Sequence, residues 1–232
     1  MEKYIVYVKT NEQQNIITVD SSAFVSDLEG WTQIDQGNGD KYRHAQGHYF
    51  DKSLYTEDGV CRYKLVESKA VERSQEEINS DRKSILKEAK ITELRVMNDQ
   101  AIDNGTTVTL STGEENFTYT LADQSNVSEM FTAVVMGATE YSYHQNGESC
   151  RMFNAGDIMA LYGTLSMYKT GLLTYFNQLK NYVGTLTSVE EVQAVTYGQE
   201  LTGEYLASYN DLMAKNKTQL DKVIENLTQK GE

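Results

Sequence analysis

Apolar residues in the C-terminal half recur at alternating spacings of three and four, and this pattern constrains the fold more than any other feature. It runs through Ile158, Leu161, Leu165, Tyr168, Leu172, Tyr175, Leu179 and Tyr182. Such spacing places side chains on one stripe of an α-helix and is typical of the seams of helical bundles and coiled coils. Tyr162, Phe176 and Val183 widen the stripe, so we expect this helix to pack against more than one neighbour.

A second helix with a similar pattern is predicted after Gly203. Its seam includes Asn216, which would fix the register or the number of helices at a cost in stability if buried, or would lie on a wet side of the helix. The spacing fits helices that fold back within one chain and helices that pair between copies. The predicted bundle or oligomer seam comprises Leu165, Tyr168, Leu172, Tyr175, Leu179 and Asn216.

Capping residues predict where several helices begin. Ser74 with Glu77 and Ser188 with Glu191 match the capping box, and Asn154 can cap the long seam helix. The helix after Ser74 should end at the Asn-Gly pair 104–105, with its apolar side at Ile78, Ile85, Leu86, Ala89, Leu94 and Met97. Two hairpins are predicted, pairing 106–110 with 117–121 and 141–143 with 150–153, with a helix at 125–137 between them.

Short strands are predicted throughout the first 67 residues. Alternating apolar positions predict an antiparallel pair at residues 4–9 and 16–19, and further strands are predicted at 31–34, 41–45, 47–50 and 60–65. The composition becomes charged and helix-forming near Val71, which places a linker at 68–73. We therefore expect an α+β chain with a small antiparallel β-rich docking module at 1–67, a linker and long helix at 68–105, and a mainly helical domain with two hairpins at 106–232.

The charge and the two cysteines narrow the classes of function. A formal net charge of −13 and a pI of about 4.7 oppose binding to nucleic acid or to an anionic membrane. The N-terminal residues lack an apolar run long enough for a signal peptide, so secretion is not expected. Cys61 and Cys150 are far apart and outside any CxxC motif, which predicts two partly buried free thiols.

Groups that could carry chemistry each have a simpler structural interpretation. On a helix, His44 and His48 would share one face, but on the predicted strand they would stand about 13 Å apart, at roughly 3.3 Å per residue, too far to chelate one ion. Carboxylates at residues 35, 40, 51, 57 and 58 could cleave a glycosidic bond, but most fit turns equally well. No catalytic residue, metal ligand or cofactor is predicted.

Aromatic residues in the N-terminal module have two possible roles. They can form the core of a small sheet, or an exposed platform that docks onto a sugar or a protein. The candidate partner-binding residues of this module are Trp31, Tyr42, His44, His48, Tyr49 and Tyr63.

Two parts of the chain resemble phage tail proteins. The segments WTQIDQG at 31–37, GDKY at 39–42, HAQG at 44–47 and GVCRYKLV at 59–66 are similar to a small domain of proteins encoded beside the baseplate and fibre region of tailed phages and prophages of Firmicutes. The region 108–214, with YHQNGE at 143–148, TYFNQL at 174–179 and AVTYG at 194–198, resembles an uncharacterised domain that recurs in phage tail proteins.

This resemblance implies a place in a tail structure and supplies no catalytic motif. The expected function is a non-enzymatic structural or attachment component of a tail tip or baseplate, in the virion after assembly in the host cytoplasm. The resemblance implies other tail, baseplate or fibre proteins as partners, and the helical seams suggest a homo-oligomer. Two alternatives remain open: a tail-fibre assembly chaperone, and a cell-envelope module that binds or hydrolyses glycans.

Overall fold

The chain forms two compact units, and the division falls between Leu86 and Lys87. The computed structural model describes residues 2–228. Small antiparallel sheets in the first unit precede the long helices of the second, which confirms the α+β prediction. The division falls within a long helix, which belongs to both units, whereas the sequence predicted boundaries at residues 67 and 105.

Five strands form the sheets of the N-terminal unit. They are β1 (Tyr4–Thr10), β2 (Ile16–Ser21), β3 (Thr32–Gly37), β4 (Tyr63–Val66) and β5 (Lys69–Glu72). The first three form an antiparallel sheet in the order β2-β1-β3, and the pairing of β1 with β2 confirms the predicted N-terminal pair. Strands β4 and β5 form a hairpin. Strand β5 occupies residues that the sequence assigned to a linker. Its charged residues, Lys69 and Glu72, obscured the strand pattern in the sequence, although the strand pairs with β4.

Two short helices replace strands that the sequence predicted, so the predictions at 41–45 and 47–50 were wrong. Helix α1 spans Asp40–Arg43 and α2 spans Ala45–His48. Tyr42, Ala45 and Tyr49 follow one another at spacings of three and four, and helical turns therefore direct all three towards the core. The Ser21 hydroxyl fixes this segment by donating a 2.6 Å hydrogen bond to the Arg43 carbonyl.

The core of the N-terminal unit lies between the three-stranded sheet and the short helices. Its buried members are mainly aliphatic, and the partly buried rings of Tyr42, Tyr49 and Phe50 pack against them. The buried members are Val6, Val8, Ile16, Val19, Ala45 and Tyr63.

Helix α3 spans Gln75–Asn104 and begins and ends as predicted. The Ser74 hydroxyl accepts from the Glu77 amide at 3.2 Å, and the Glu77 carboxylate accepts from the Ser74 amide at 2.9 Å. Gly105 follows the last turn with φ of +66°. The predicted apolar side is only partly correct, since Ile85 is 51 % exposed.

The C-terminal unit contains two hairpins around a helix. Strands β6 (Thr106–Leu110) and β7 (Gly113–Phe117) precede α4 (Leu121–Val135), and β8 (Glu140–Tyr143) pairs with β9 (Arg151–Asn154). The hairpin predicted at 141–143 and 150–153 is confirmed. In the other hairpin the first strand is confirmed, but the second strand predicted at 117–121 was wrong, because β6 pairs with residues 113–117 and residue 121 begins α4. Helix α4 also begins earlier than the predicted residue 125, because Thr120 and Asp123 form a capping box.

Three further helices complete this unit: α5 (Ala155–Thr185), α6 (Val189–Ala194) and α7 (Gly203–Thr228). Asn154 and Ser188 cap α5 and α6 as predicted. Helix α5 packs against α4, β6 and α7, which confirms that it has several neighbours. Its buried residues Ile158, Leu161 and Leu165 join the hairpin side chains in the core.

Candidate partner-binding surfaces

Three of the predicted partner-binding tyrosines belong to the core of the N-terminal unit. The ring of Tyr63 stacks on Phe50 at 4.0 Å between centroids and is 7 % exposed. Tyr49 packs edge-on against Phe50 at 5.1 Å and against Tyr42 at 6.3 Å. Because these rings pack against one another and against the sheet, Tyr63 in particular is not accessible to a partner.

The hydroxyl of Tyr49 is tied to the edge strand β3. It donates to Asp35 Oδ2 at 3.0 Å. Burial of the ring is the main reason why the pKa of Tyr49 lies well above its usual range. The hydrogen bond to Asp35 and the negative charge of Asp35 raise the pKa further. The phenol therefore stays neutral and fastens the helical turns to the sheet.

The two predicted histidines lie around one carboxylate. His44 Nε2 is 3.7 Å from Asp40 Oδ1, and His48 Nε2 is 3.9 Å from Asp40 Oδ2. The helical turn brings them to one side, which corrects the 13 Å separation expected for a strand. Among residues 2–228, however, no three His, Cys, Asp or Glu side chains are placed to hold a metal ion.

The loop between β2 and β3 exposes two large apolar side chains, one of which lies next to His44. Phe24 is 53 % exposed and Leu28 is 50 % exposed. The Phe24 ring lies 5.4 Å from that of His44, and Lys9 Nζ lies 5.0 Å from the Trp31 ring centroid. Three of the predicted partner-binding residues in this area, Trp31, His44 and His48, are partly or largely exposed. The sequence reasoning missed Phe24 and Leu28, although apolar residues in a short polar loop are a usable signal.

The predicted seam of α5 packs within one chain. Leu165 and Leu179 are fully buried, whereas Leu172 is partly buried against the hairpin core. Tyr168 donates from its hydroxyl to the Ala101 carbonyl of α3 at 2.8 Å, and Tyr175 donates to the Gln199 carbonyl at 2.9 Å. The α5 seam residues therefore face the hairpins, α3 and the segment after α6.

Helix α7 packs antiparallel to α5 on a different face, which is lined by glycine. A methyl group on Gly163 would lie 3.5 Å from Ile224 Cδ1, and one on Gly171 would lie 3.5 Å from Met213 Cε. At the other end the rings of Tyr182 and Tyr205 meet at 5.6 Å between centroids. The sequence reasoning missed this contact because it followed leucine and tyrosine positions and gave no weight to glycine.

An open apolar groove lies between α5 and α7. Its volume is about 550 Å³. The walls come from the first half of α5 and the second half of α7, and an ion pair between Lys217 and Asp221 lies on its rim. The apolar residues that line this groove are Met159, Ala160, Met167, Leu220 and Ile224.

Asn216, the polar residue of the predicted α7 seam, is only partly buried. It lies between Met213 and Leu220, both of which pack near the glycine face of α5. This exposure favours the wet-side interpretation of Asn216 within a single chain.

Comparison with known proteins finds no match for the chain. No protein-family model matches it, and neither a curated protein nor a solved structure does. Within residues 2–228, none of the helices has the length and hydrophobicity needed to cross a bilayer. Both cysteines are free, as predicted, and Cys61 is partly buried, but Cys150 is exposed, so its predicted partial burial was wrong.

Proposed function

We propose that this protein is a non-enzymatic structural component that attaches to other proteins, in the tail tip or baseplate of a phage. Its partners would be neighbouring tail, baseplate or fibre proteins, with further copies of the chain in a homo-oligomer. It would join the virion during assembly in the host cytoplasm. The setting follows from the sequence resemblance, and the open groove between α5 and α7 is the observation that supports attachment.

The dimensions of the groove suit a helix from a partner. The α5 wall runs from Gly156 to Met167, which corresponds to about 17 Å at about 1.5 Å per residue, or roughly three turns of a third helix. Apolar helices that lie in grooves of this kind are a common mode of protein recognition. The flexible side chains of Met159 and Met167 can adapt to the shape of the helix they receive.

Helix α7 is incompletely covered along its apolar stripe. No residue of α7 from 203 to 227 is fully buried, and Leu206 and Val223 are 42 % and 45 % exposed. Covering a half-exposed side chain of this size contributes roughly 1 kcal/mol of hydrophobic free energy. In the groove itself, Leu220 and Ile224 are only partly buried, and a partner helix that covered them would stabilise both α7 and the complex.

The test places a charge in the groove and follows attachment. Met167→Glu puts a carboxylate in the apolar wall, and Met136→Glu is the matched control, because Met136 is 83 % exposed and lies outside the groove. Phage particles are purified from the host that encodes the chain and analysed by quantitative mass spectrometry. We expect wild type and Met136→Glu in particles and strong depletion of Met167→Glu, with unchanged circular dichroism for all three.

Other outcomes separate the alternatives. If the wild-type chain is absent from particles but binds unassembled fibre protein, the structural role is wrong and the chain is an assembly chaperone. Equal incorporation of Met167→Glu and wild type would exclude the groove as the attachment site. Light scattering of the purified chain shows whether a second copy occupies the groove, since Met167→Glu would then dissociate an oligomer that Met136→Glu leaves intact.

A further inference from the structure

We infer that the cleft between α4 and β8 binds a basic side chain, arginine or lysine, of a partner polypeptide. The cleft has a volume of about 220 Å³ and lies in the C-terminal unit, outside the α5–α7 groove. This inference rests on the proposed function in taking the partner to be a protein, and it specifies the chemistry that the partner presents.

Aromatic rings form one wall of the cleft. Tyr141, Tyr143 and His144 line it, and the last two rings stack at 5.1 Å between centroids. Tyr143 is 8 % exposed and packs further against Phe117 and Phe153, so its ring is fixed in place. Tyr141 is only partly buried, and the open face of such a ring attracts a cation, most strongly when water is partly excluded.

Carboxylates are positioned by the same tyrosines. The Tyr141 hydroxyl donates to Glu129 Oε1 at 3.1 Å, and Glu129 itself lines the cleft. The Tyr143 hydroxyl donates to Asp123 Oδ1 at 3.0 Å. Among the described residues, no lysine, arginine or histidine forms an ion pair with Glu129 or Asp123.

Asp123 stays ionised behind the aromatic wall. Burial by itself would raise the pKa of this carboxyl, but hydrogen bonds from Thr120, Thr118 and Tyr143 outweigh burial and hold the pKa below its usual value. The cleft therefore has a negative charge on its wall at Glu129 and another behind Tyr143.

The surrounding segment is strongly acidic. Residues 103–154 contain no lysine and one arginine, Arg151, which is paired with Glu115 and lies 3.9 Å from the Phe153 ring centroid. That arginine shows within the chain the contact proposed for the partner, a guanidinium between a carboxylate and an aromatic face. The acidic residues of the segment are Asp103, Glu114, Glu115, Asp123, Glu129, Glu140 and Glu148.

The test titrates the full chain with N-acetylarginine amide and with N-acetylcitrulline amide, which has nearly the same shape but no charge. Amide chemical shifts are followed by NMR. We expect saturable shifts from arginine, centred on residues 126–130 and 141–144, and much smaller shifts from citrulline. Glu129→Gln should weaken arginine binding roughly two- to fivefold, as expected for loss of one accessible ion pair.

Glu140→Gln is the matched control, because Glu140 is exposed on the same strand and does not line the cleft. It should bind arginine amide as tightly as wild type. Equal shifts from citrulline, equal weakening by Glu140→Gln, or no localised shifts at all would each overturn the inference. The particle assay tests the proposed function separately. If the chain is absent from particles but still binds arginine in preference to citrulline, the tail function is wrong and the cation site stands.

Discussion

At the scale of single residues, Glu77 has two structural roles. Its carboxylate caps the start of α3 and accepts from Lys64 of β4 at 2.6 Å. These hydrogen bonds lower the pKa of Glu77 to about 2, with the larger effect from Lys64 and the smaller one from the backbone amide of Ser74. The ordinary value of 4.5 applies to the unfolded chain, so folding stabilises the ionised form.

This shift predicts an acid-sensitive contribution to stability. Because the folded pKa is depressed, the contribution of ionised Glu77 is fully present above about pH 4.5 and is lost as the pH falls towards about 2. Glu77→Gln keeps the cap, since glutamine also serves in the capping box, but removes the charge. We expect a lower urea midpoint at pH 7 and a smaller further loss on acidification than in wild type. Glu76→Gln is the control and should follow wild type at every pH.

Gly105 predicts a larger effect from a single methyl group. Its φ of +66° is in the left-handed region, and a Cβ there would lie 1.8 Å from the Phe117 carbonyl oxygen. Gly105→Ala should therefore destabilise the C-terminal unit by about 3 kcal/mol or more, through backbone strain and overpacking. Gly184→Ala, in open space near the end of α5, should be neutral or stabilise by up to about 1 kcal/mol. Thermal denaturation of both variants measures the difference, and similar melting temperatures would contradict it.

At the scale of elements, Asp157 joins the β6–β7 hairpin to the start of α5. It is 5 % exposed, and its carboxylate accepts from the Ser111 amide, the Ser111 hydroxyl and the Asn154 side-chain amide at 2.7 Å each. Removing this acceptor would break three partly buried, charge-assisted hydrogen bonds at once.

Asp157→Ala should accordingly cost about 2–4 kcal/mol of unfolding free energy. Hydrogen exchange should show loss of protection at the Ser111 amide and in the first turn of α5 before other parts of the unit. Asp211→Ala removes a carboxylate from an exposed i,i+4 pair with Lys215, and its cost should stay below about 0.5 kcal/mol. A cost for Asp157→Ala as small as that of Asp211→Ala would show that the hairpin is held by packing alone.

Elements whose signals are local could be predicted from the sequence, and elements that depend on tertiary contacts could not. Ser74, Asn154 and Ser188 predicted their helices correctly because a cap is contained within four residues. The spacing of Tyr42, Ala45 and Tyr49 fits a helix, but the same aromatic residues also fit strand alternation, and only the position of the sheet decides which face is buried.

The candidate surfaces show the same limit. The regular seam predicted one side of α5 that packs against other elements. It did not predict that α7 would pack on the face that contains Gly163 and Gly171. Close approach of two backbones depends on the absence of side chains, which a pattern of large apolar residues does not record. The groove and its methionines follow from that choice of face, so neither was predicted.

At the scale of the whole molecule, the two units have separate hydrophobic cores. Ile16 is fully buried in the cluster of the N-terminal unit, and Leu161 is fully buried in that of the C-terminal unit. Truncating either side chain to alanine removes apolar contacts and leaves a cavity, at a cost of about 2–5 kcal/mol. Helix α3 contributes residues to both units, so its two parts report on different cores.

Separate cores predict separate responses to these truncations. Ile16→Ala should raise amide exchange in residues 4–72 and leave 106–186 close to wild type, and Leu161→Ala should do the reverse. Within α3, Ile16→Ala should affect residues before 87 and Leu161→Ala those after it, because each part of the helix draws its protection from its own unit. Exchange by mass spectrometry gives this resolution. A uniform rise across both units after either truncation would contradict this, because it would mean that the chain unfolds as one cooperative domain.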